Sequence, residues 1–511
     1  MAEPTNLTKQ NVILLLGSFI LGVIFDYLFF DKTAGISFPI FWILFQAFFY
    51  IIFRDKLIFE KNFEWFLTIP IFLLTLTFFL FSSDVFMHLN VLVIGILFIF
   101  QSILLTKNNK NPWYKVSFIG EAFIKTIESL ANLLVPFKLI GNLVRSKSTK
   151  SAYGVVGKVF IGVLFSLPLI GIIIGLLSSA DSIFNHWVNE IPNFLWRIDL
   201  GDWPTHLFLV CIVFFVIVMY FWALKHPLKA ETVTIEIEKK KPIHIDGIIT
   251  LTILSLINIV YVLFTAIQVS YLFGEAKNLL PKGVTYAQYA TEGFHQLVTV
   301  TVLNIFIVIF VIYLVQKIQP VIYRIVQILL SVLTVCTSFI LLSAFLKLSL
   351  YEEVYGYTYT RILVHAFMVL LSLLFIVALI KTWKNDISLL KYYGIIFLVW
   401  YITLNYINID RIIAKQNVER YHQKKEGAFV QPPKQEYDRY GETKYIDLYY
   451  LDQLSYDIVP YLLELRKEPS LRPAIDKQLR QIKAGLTIEK ENWQSFNLSR
   501  YRAIQLLKEL N

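Results

Sequence analysis

Residues Ile245–Phe273 read IDGIITLTILSLINIVYVLFTAIQVSYLF, an apolar run long enough to cross the hydrocarbon core of a bilayer as one helix. The connection Tyr271–Leu297, YLFGEAKNLLPKGVTYAQYATEGFHQL, leads to the next apolar run. It packs aromatic residues, Glu275, Glu292, His295 and the turn residues Gly274, Pro281 and Gly283 into one short link. A solid apolar run joined to the next by a polar, turn-rich link is the repeating unit of a helical membrane protein. The strands of a membrane barrel would instead show short stretches of alternating hydrophobicity.

The rest of the chain repeats the unit. Comparable runs occur at Asn11–Phe30, Ile36–Phe53, Phe63–Phe81, Val85–Leu105, Val155–Leu177, Thr205–Leu224, Phe294–Gln316, Val321–Leu346, Ile362–Ile380 and Tyr392–Asn408. That is about eleven spans at the ~20 residues a bilayer requires. Composition agrees: of 511 residues 56% are hydrophobic, 16% aromatic and only 16% charged, and mean hydropathy is +0.61. A soluble domain carries roughly 25% charged residues and could not hide so much apolar surface. The expected fold is an all-α polytopic transmembrane helical bundle with a small C-terminal helical cap.

The net charge of +10 suggests lipid headgroups, not nucleic acid, because the basic residues sit in alternate loops. Arg54, Lys56 and Lys61, the stretch from Lys107 to Lys158, Lys225 to Lys241, Lys317 and Arg324, and Lys381 to Lys391 form the rich set. Lys32, Arg197, Lys277, Lys282, Lys347 and Arg361 form the poor set. By the positive-inside rule the rich set and the N-terminus face the cytoplasm of a cell membrane, and the C-terminal domain is extracytoplasmic. The polar start MAEPTNLTKQ has no cleavable signal pattern, so the first helix is expected to act as an uncleaved anchor. Residues 1–110 read as N-terminal transmembrane helices, 111–154 as a cytoplasmic connector, 155–408 as a transmembrane core and 409–511 as a soluble helical domain.

Within the connector, Phe118, Ile119, Ala122, Phe123, Ile127, Leu130, Leu134 and Phe137 recur at helical spacing, and Pro136 is expected to kink or end the helix. With its basic flanks it reads as a helix on the inner membrane surface. Gly171-Ile-Ile-Ile-Gly175 offers a close helix approach. After the last span, Asn408 to Gln423 reads as a continuing helix. Ile446, Leu448, Leu451, Leu454 and Ile458 then keep helical spacing up to a break at Pro460, and further helices are expected at Tyr461–Lys467, Leu471–Ala484 and Ser499–Leu510. Cys211 and Cys336 fall inside apolar runs and read as inert.

Several stretches carry a resemblance: Ser179-Ala180-Asp181; Tyr271 to Gly274; Tyr286 to Tyr289 with Glu292-Gly-Phe294; Leu350-Tyr351 with Tyr355-Gly356 and Thr360-Arg361; Asn408 to Arg411 with Ala414 and Asn417; Tyr450-Leu451 with Leu454 to Asp457 and Pro460; and Trp493 with Ser495 to Asn497 and Arg500. In this ordered set, spread from about Val155 to the end, the chain resembles bacterial multi-pass membrane proteins of the domain-of-unknown-function families 4153 and 4173. Thr291 departs from the pattern, which often has a basic residue there. The resemblance implies a layout and no mechanism.

On the sidedness above, these marks fall on one outer side. Asp181, Glu275, Glu292, His295, Arg361, His365, Asp410, Arg411 and Asn417, with Glu352 and Glu353, are therefore expected to form one polar cluster beneath the cap. Glu292 and His295, like Arg361 and His365, have spacings that share a helix face. Such a cluster can hold loops and cap together through ion pairs, form a ligand site, or place Glu292 and His295 as acid and base. Arg361 and Arg411 are the expected partners of the acids. The sequence has no HExxH, GxSxG, phosphate-loop or CxxC pattern, so no metal or cofactor is expected. Of the polar residues in or near spans, Asp26 can reach the interface, while Asn258, Gln268 and Asn304 suit interhelical hydrogen bonds. The favoured reading is a non-enzymatic binding, sensing or envelope-associated protein whose partners are the bilayer and an outer envelope or protein component. A small-solute transporter and a membrane-boundary enzyme acting on lipid or envelope polymer are the alternatives.

Overall fold

The computed structural model describes residues 9–57, 59, 62–146, 166, 170, 173, 176–181, 183, 184, 202–227, 246–273, 294–314, 319–425, 446–488 and 492–508. Among them there is no strand. The helices are α1 Lys9–Phe29, α2 Ser37–Phe53, α3 Phe63–Phe66, α4 Thr68–Leu80, α5 Asp84–Leu105, α6 Val116–Leu130, α7 Val135–Ser146, α8 Trp203–Lys225, α9 Gly247–Phe273, α10 Phe294–Leu314, α11 Pro320–Tyr355, α12 Tyr359–Trp383, α13 Leu389–Tyr406 and α14 Ile409–Lys425. They are followed by α15 Leu448–Asp452, α16 Val459–Leu465, α17 Arg472–Ile488 and α18 Leu498–Lys508.

Seven of these helices, and α3 with α4 taken as one, are long and apolar enough to cross a membrane, eight candidate spans among the described residues. α2 is apolar but shorter, and α13 qualifies only together with α14, from which it is bent by 56°. The chain is thus an all-α polytopic bundle. Most of the run Val155–Leu177, with Gly171 and Gly175, lies outside the described residues.

Contacts at the two ends show that α1 runs toward one end of the bundle while α2, α5 and α8 run toward the other. At one end the Lys56 ammonium reaches the Leu224 and Lys225 carbonyls at 3.5 and 3.3 Å. There the Asn108 amide donates to Leu224 at 2.9 Å, and Lys225 reaches Asn11 Oδ1 at 3.4 Å. At the other end the Asp26 carboxylate meets His206 Nδ1 at 2.8 Å, joining the last turn of α1 to the first of α8.

The C-terminal helices sit on this second end. The Ile36 N–H donates to the Phe496 carbonyl at 2.9 Å. The Asn497 amide donates to the Phe78 and Phe81 carbonyls at 2.9 and 2.6 Å, and the Ser82 and Ser499 hydroxyls share a bond of 3.0 Å. The contact is close enough that a Cβ on Gly35 would stand 2.5 Å from the Phe496 carbonyl oxygen. Tyr27, Trp493 and Phe496 gather along this seam, with the Tyr27 and Trp493 rings 6.5 Å apart and Phe79 against Phe496 at 5.9 Å. Half-exposed Trp and Tyr rings in such a belt are typical of the membrane–water boundary.

The cap has its own apolar core. Ala414, Val418 and Tyr421 of α14 pack with Leu451, Ile458, Leu462, Leu465, Leu471, Ile475, Leu479 and Ala503. Inside the bilayer, lipid tails are as apolar as leucine, so packing and hydrogen bonds provide the cohesion between helices. Phe49, Phe98 and Phe221 interlock in edge-to-face pairs. Gln46 donates to Gln101 at 2.8 Å, and Gln101 to Thr68 at 2.7 Å.

Four local expectations are corrected. α6 ends at Leu130, before the proline, and Pro136 is the second residue of α7. A missing N–H costs nothing in a first turn. Pro460 likewise opens α16, and the run before it is a five-residue helix and a 3₁₀ turn, Tyr456–Ile458. The run expected to end at Leu346 continues to Tyr355, so α11 has 36 residues. At 1.5 Å per residue it is about 54 Å long, well beyond the hydrocarbon core. Finally, α14 does not continue α13: Asn408 takes a left-handed φ of 53° at the bend.

Candidate functional site

The polar end of the bundle beneath the cap is built from three adjoining nests of side chains. The first closes the α11–α12 hairpin. α11 stops where Gly356 adopts φ +90°, and a Cβ there would lie 2.7 Å from both Asn417 Oδ1 and an Arg420 nitrogen. Asn417 on α14 reads the Tyr357 backbone in both directions: its Oδ1 accepts the N–H at 2.9 Å and its amide donates to the carbonyl at 2.9 Å. One turn on, Arg420 donates to the Glu353 carbonyl at 2.9 Å. The Arg361 guanidinium donates to the Gly356 carbonyl and covers the Tyr351 ring at 4.3 Å. His365 stands between the Glu352 carboxylate, 3.2 Å from Nδ1, and the Ser349 hydroxyl, 3.3 Å from Nε2.

The second nest surrounds Asp410, which is only 3% exposed. Asn408 turns the chain and accepts the Arg411 N–H on its side chain at 3.1 Å, which starts α14 and aims Asp410 inward. Burial pushes the Asp410 carboxyl up to about 6, and the neighbouring Asp457 and Asp84 carboxylates add to the rise. The hydroxyls of Ser455 and Ser83 pull it back. Among the described residues no cationic nitrogen lies within 4 Å of it. Ser83 also shares a 2.8 Å bond with the Tyr359 hydroxyl, and the Tyr359 N–H donates to the Tyr450 hydroxyl at 2.7 Å. Tyr450 feels both Asp410 and Arg361, which links this nest to the first.

The third nest lies deeper between α4, α5 and α13. Asn90 donates to Thr77 at 2.9 Å and to Asn405 at 2.6 Å, and it accepts from the Tyr401 hydroxyl at 2.6 Å. The Asn405 amide closes onto the Tyr401 carbonyl at 2.9 Å. Between the second and third nests is a cavity of about 10 Å³ lined by Thr77, Ser83, Asn90, Tyr359, Asn405 and Asn408, room for about one water.

Arg361, His365, Asn417 and Asp410 are therefore brought together in neighbouring nests. Arg411 points to the cap, where it donates to the Tyr461 hydroxyl at 3.2 Å. Asp181 is exposed and caps its own chain, accepting the Ile183 and Phe184 N–H groups at 2.7 and 3.0 Å. His295 is exposed in the first turn of α10. Glu275 and Glu292 lie outside the described residues. Among the described residues no group of three or more His, Cys, Asp or Glu could hold a metal ion. Cys211 and Cys336 are free thiols.

Sequence reading did not place Ser83, Asp84, Tyr359 or Arg420 in this region. Arg420 had one visible signal, its position three residues after Asn417 on the same helix face. Ser83 and Asp84 had none, because they come from helices without family marks. The mid-span residues also find partners. Asn258 donates to the Leu254 and Leu329 carbonyls at 2.9 and 3.0 Å. Asn304 bonds Thr337 at 2.8 Å and Tyr261 at 2.9 Å, and Gln268 accepts from Ser343 at 2.8 Å.

Fold and site together define an α-helical, multi-pass membrane protein with a covered polar end. Residues 68–465 match the family model described as Domain of unknown function (DUF4153), and the chain belongs to that family. No curated protein and no solved structure matches the chain. The match begins at α4, so it takes in α4 and α5, which carry none of the quoted marks, and it ends at Leu465, before Trp493–Arg500. Thr77, Ser83 and Asn90, which complete the second and third nests, fall within the matched residues.

Proposed function

We propose that the chain is a non-enzymatic membrane protein that presents its cap, away from the cytoplasm, as a binding platform for an envelope component, a lipid or a partner protein. The observation that carries this reading is the way the covered end is built. The cap is fastened to several helix ends by backbone and amide hydrogen bonds, and the polar groups beneath it engage one another around a cavity of about 10 Å³. A fixed platform needs such fastening, whereas a catalytic cleft needs room beside a reactive group. The hydrogen bonds of Asn258, Gln268 and Asn304 to neighbouring helices weigh against a carrier, which needs polar capacity at mid-depth. The outward placement of the cap is supported by the basic loops, which gather at the other end.

The test uses full-length protein in nanodiscs, screened for thermal stabilisation by cell-wall glycan fragments and by anionic phospholipids. One ligand class should raise the melting temperature by several degrees, and Tyr449→Ala on the exposed cap surface should reduce that shift. A chemical turnover or a solute flux in proteoliposomes that folded Glu292→Ala protein loses would overturn the reading.

A further inference from the structure

At the end of the bundle opposite the cap, α6 and α7 are too short to span a bilayer, at 15 and 12 residues. One face is covered by protein. Phe118 meets Phe100 at 5.2 Å between ring centres, and Phe137 meets Phe215 at 5.4 Å. Phe100 lies five residues from the end of α5 and Phe215 ten from the end of α8. At 1.5 Å per residue these contacts are roughly 8 and 15 Å inside the helix ends, so the pair slopes into the hydrocarbon. The other face bears Val116, Ile119, Phe123, Ile127, Leu130 and Leu134, each 50–72% exposed. A row of large apolar side chains at that depth faces acyl chains.

Near the ends of α2 and α8, Lys56 lies close enough to Lys125 and Lys225 to be repelled by both. Lys56 sits on the last carbonyls of α8, Lys225 reaches Asn11, and Lys125 is buried on α6 and paired with Glu128 at 3.1 Å. Among the described residues no carboxylate lies within 4 Å of Lys56 or Lys225. Asp55 is nearby but is engaged by Gln10 and Arg54. Each ammonium has three donors, more than these contacts use among the described residues. Burial, with the repulsion of Lys125, holds the Lys56 ammonium below its usual range. A bound anion would relieve that repulsion.

We infer that the α6–α7 face and the rim formed by Lys56 and Lys225 are a binding site for an anionic phospholipid of the surrounding leaflet, with tails along Phe123 and Ile127 and the headgroup phosphate at these two lysines. The site is independent of whatever the cap binds.

Amide exchange of residues 116–146 is to be compared in nanodiscs of phosphatidylcholine alone and with 30% phosphatidylglycerol. Exchange should slow about tenfold in the anionic discs, and half a molar salt should reverse most of that gain. Lys56→Gln/Lys225→Gln should remove it while lowering the melting temperature in phosphatidylcholine by no more than a few degrees, so that misfolding is told apart from lost binding. Native mass spectrometry should retain phosphatidylglycerol on wild type and not on the double variant. Equal exchange in the two disc types, or photo-crosslinks from position 123 to protein instead of lipid, would overturn the inference.

Discussion

At the cap end, Arg361, Asn417 and Arg420 donate to backbone carbonyls in a loop that is then covered by a folded domain. At the opposite end, Lys56 also donates to backbone carbonyls, those of α8, but only two amphipathic helices lie there, with an apolar face uncovered. The same local chemistry, a side-chain donor (Arg361, Asn417 or Arg420 at one end, Lys56 at the other) on backbone carbonyls at or beside a helix end, therefore serves two purposes. At one end it locks a rigid seat, because the donors are matched and sealed from water. At the other it leaves positive charge and apolar surface together, the combination that suits a lipid leaflet.

The contrast can be broken most forcefully at Gly356. Gly356→Val forces a side chain into a left-handed position already filled by Asn417 and Arg420, and it should destabilise cap seating by about 3 kcal/mol. A melting curve of the purified protein, followed with trypsin cleavage of the cap, reads this directly. An unchanged melt would show that the seat is not sealed.

A comparable effect is expected from pH. The Asp410 carboxyl titrates near 6 in the folded protein against an ordinary 3.8. Its contribution to stability is therefore complete below pH 3.8 and is lost as pH rises through 6, on the order of 3 kcal/mol in all. Asp410→Asn should match wild type near pH 4, melt higher at pH 8 and flatten the pH profile. Parallel profiles for the two proteins would contradict burial of this acid.

Asn90→Ala should cost about 1–2 kcal/mol by leaving Asn405 and Tyr401 short of a partner inside the bundle, measured by unfolding in detergent. At the lower end of the scale, Asp476→Asn removes a solvent-reachable surface pair in which Arg466 holds the Asp476 carboxyl below its usual range. Solvent screening should leave its melting shift near the limit of measurement. Phe123→Ser, at the far end, should leave cap seating as it was, because distant sites act independently.

Much of the fold was legible in run length, because a bilayer fixes how long an apolar helix must be. The ends were less so. Apart from Thr403 and Asn405, hydrophobicity runs on through Tyr406 and Ile407, and nothing in it marks Asn408 as the left-handed residue that turns the chain. Pro136 and Pro460 read as stops, but a proline starts a helix as readily as it ends one. For the polar end, the residue types were legible and the partners were not. Arg361 and Asn417 bind main-chain atoms of residues 356 and 357, which any sequence supplies. Asp410 lies against Ser83 and Ser455, hydroxyls that no charge pattern singles out.

The central claim is that the covered, hydrogen-bonded end faces away from the cytoplasm and the lysine-rich end faces into it. A reporter enzyme that is active only outside the cytoplasm, fused after Asn511 and separately after Lys107, tests this most directly. The account predicts activity from the Asn511 fusion and none from the Lys107 fusion. The reverse pattern would contradict it.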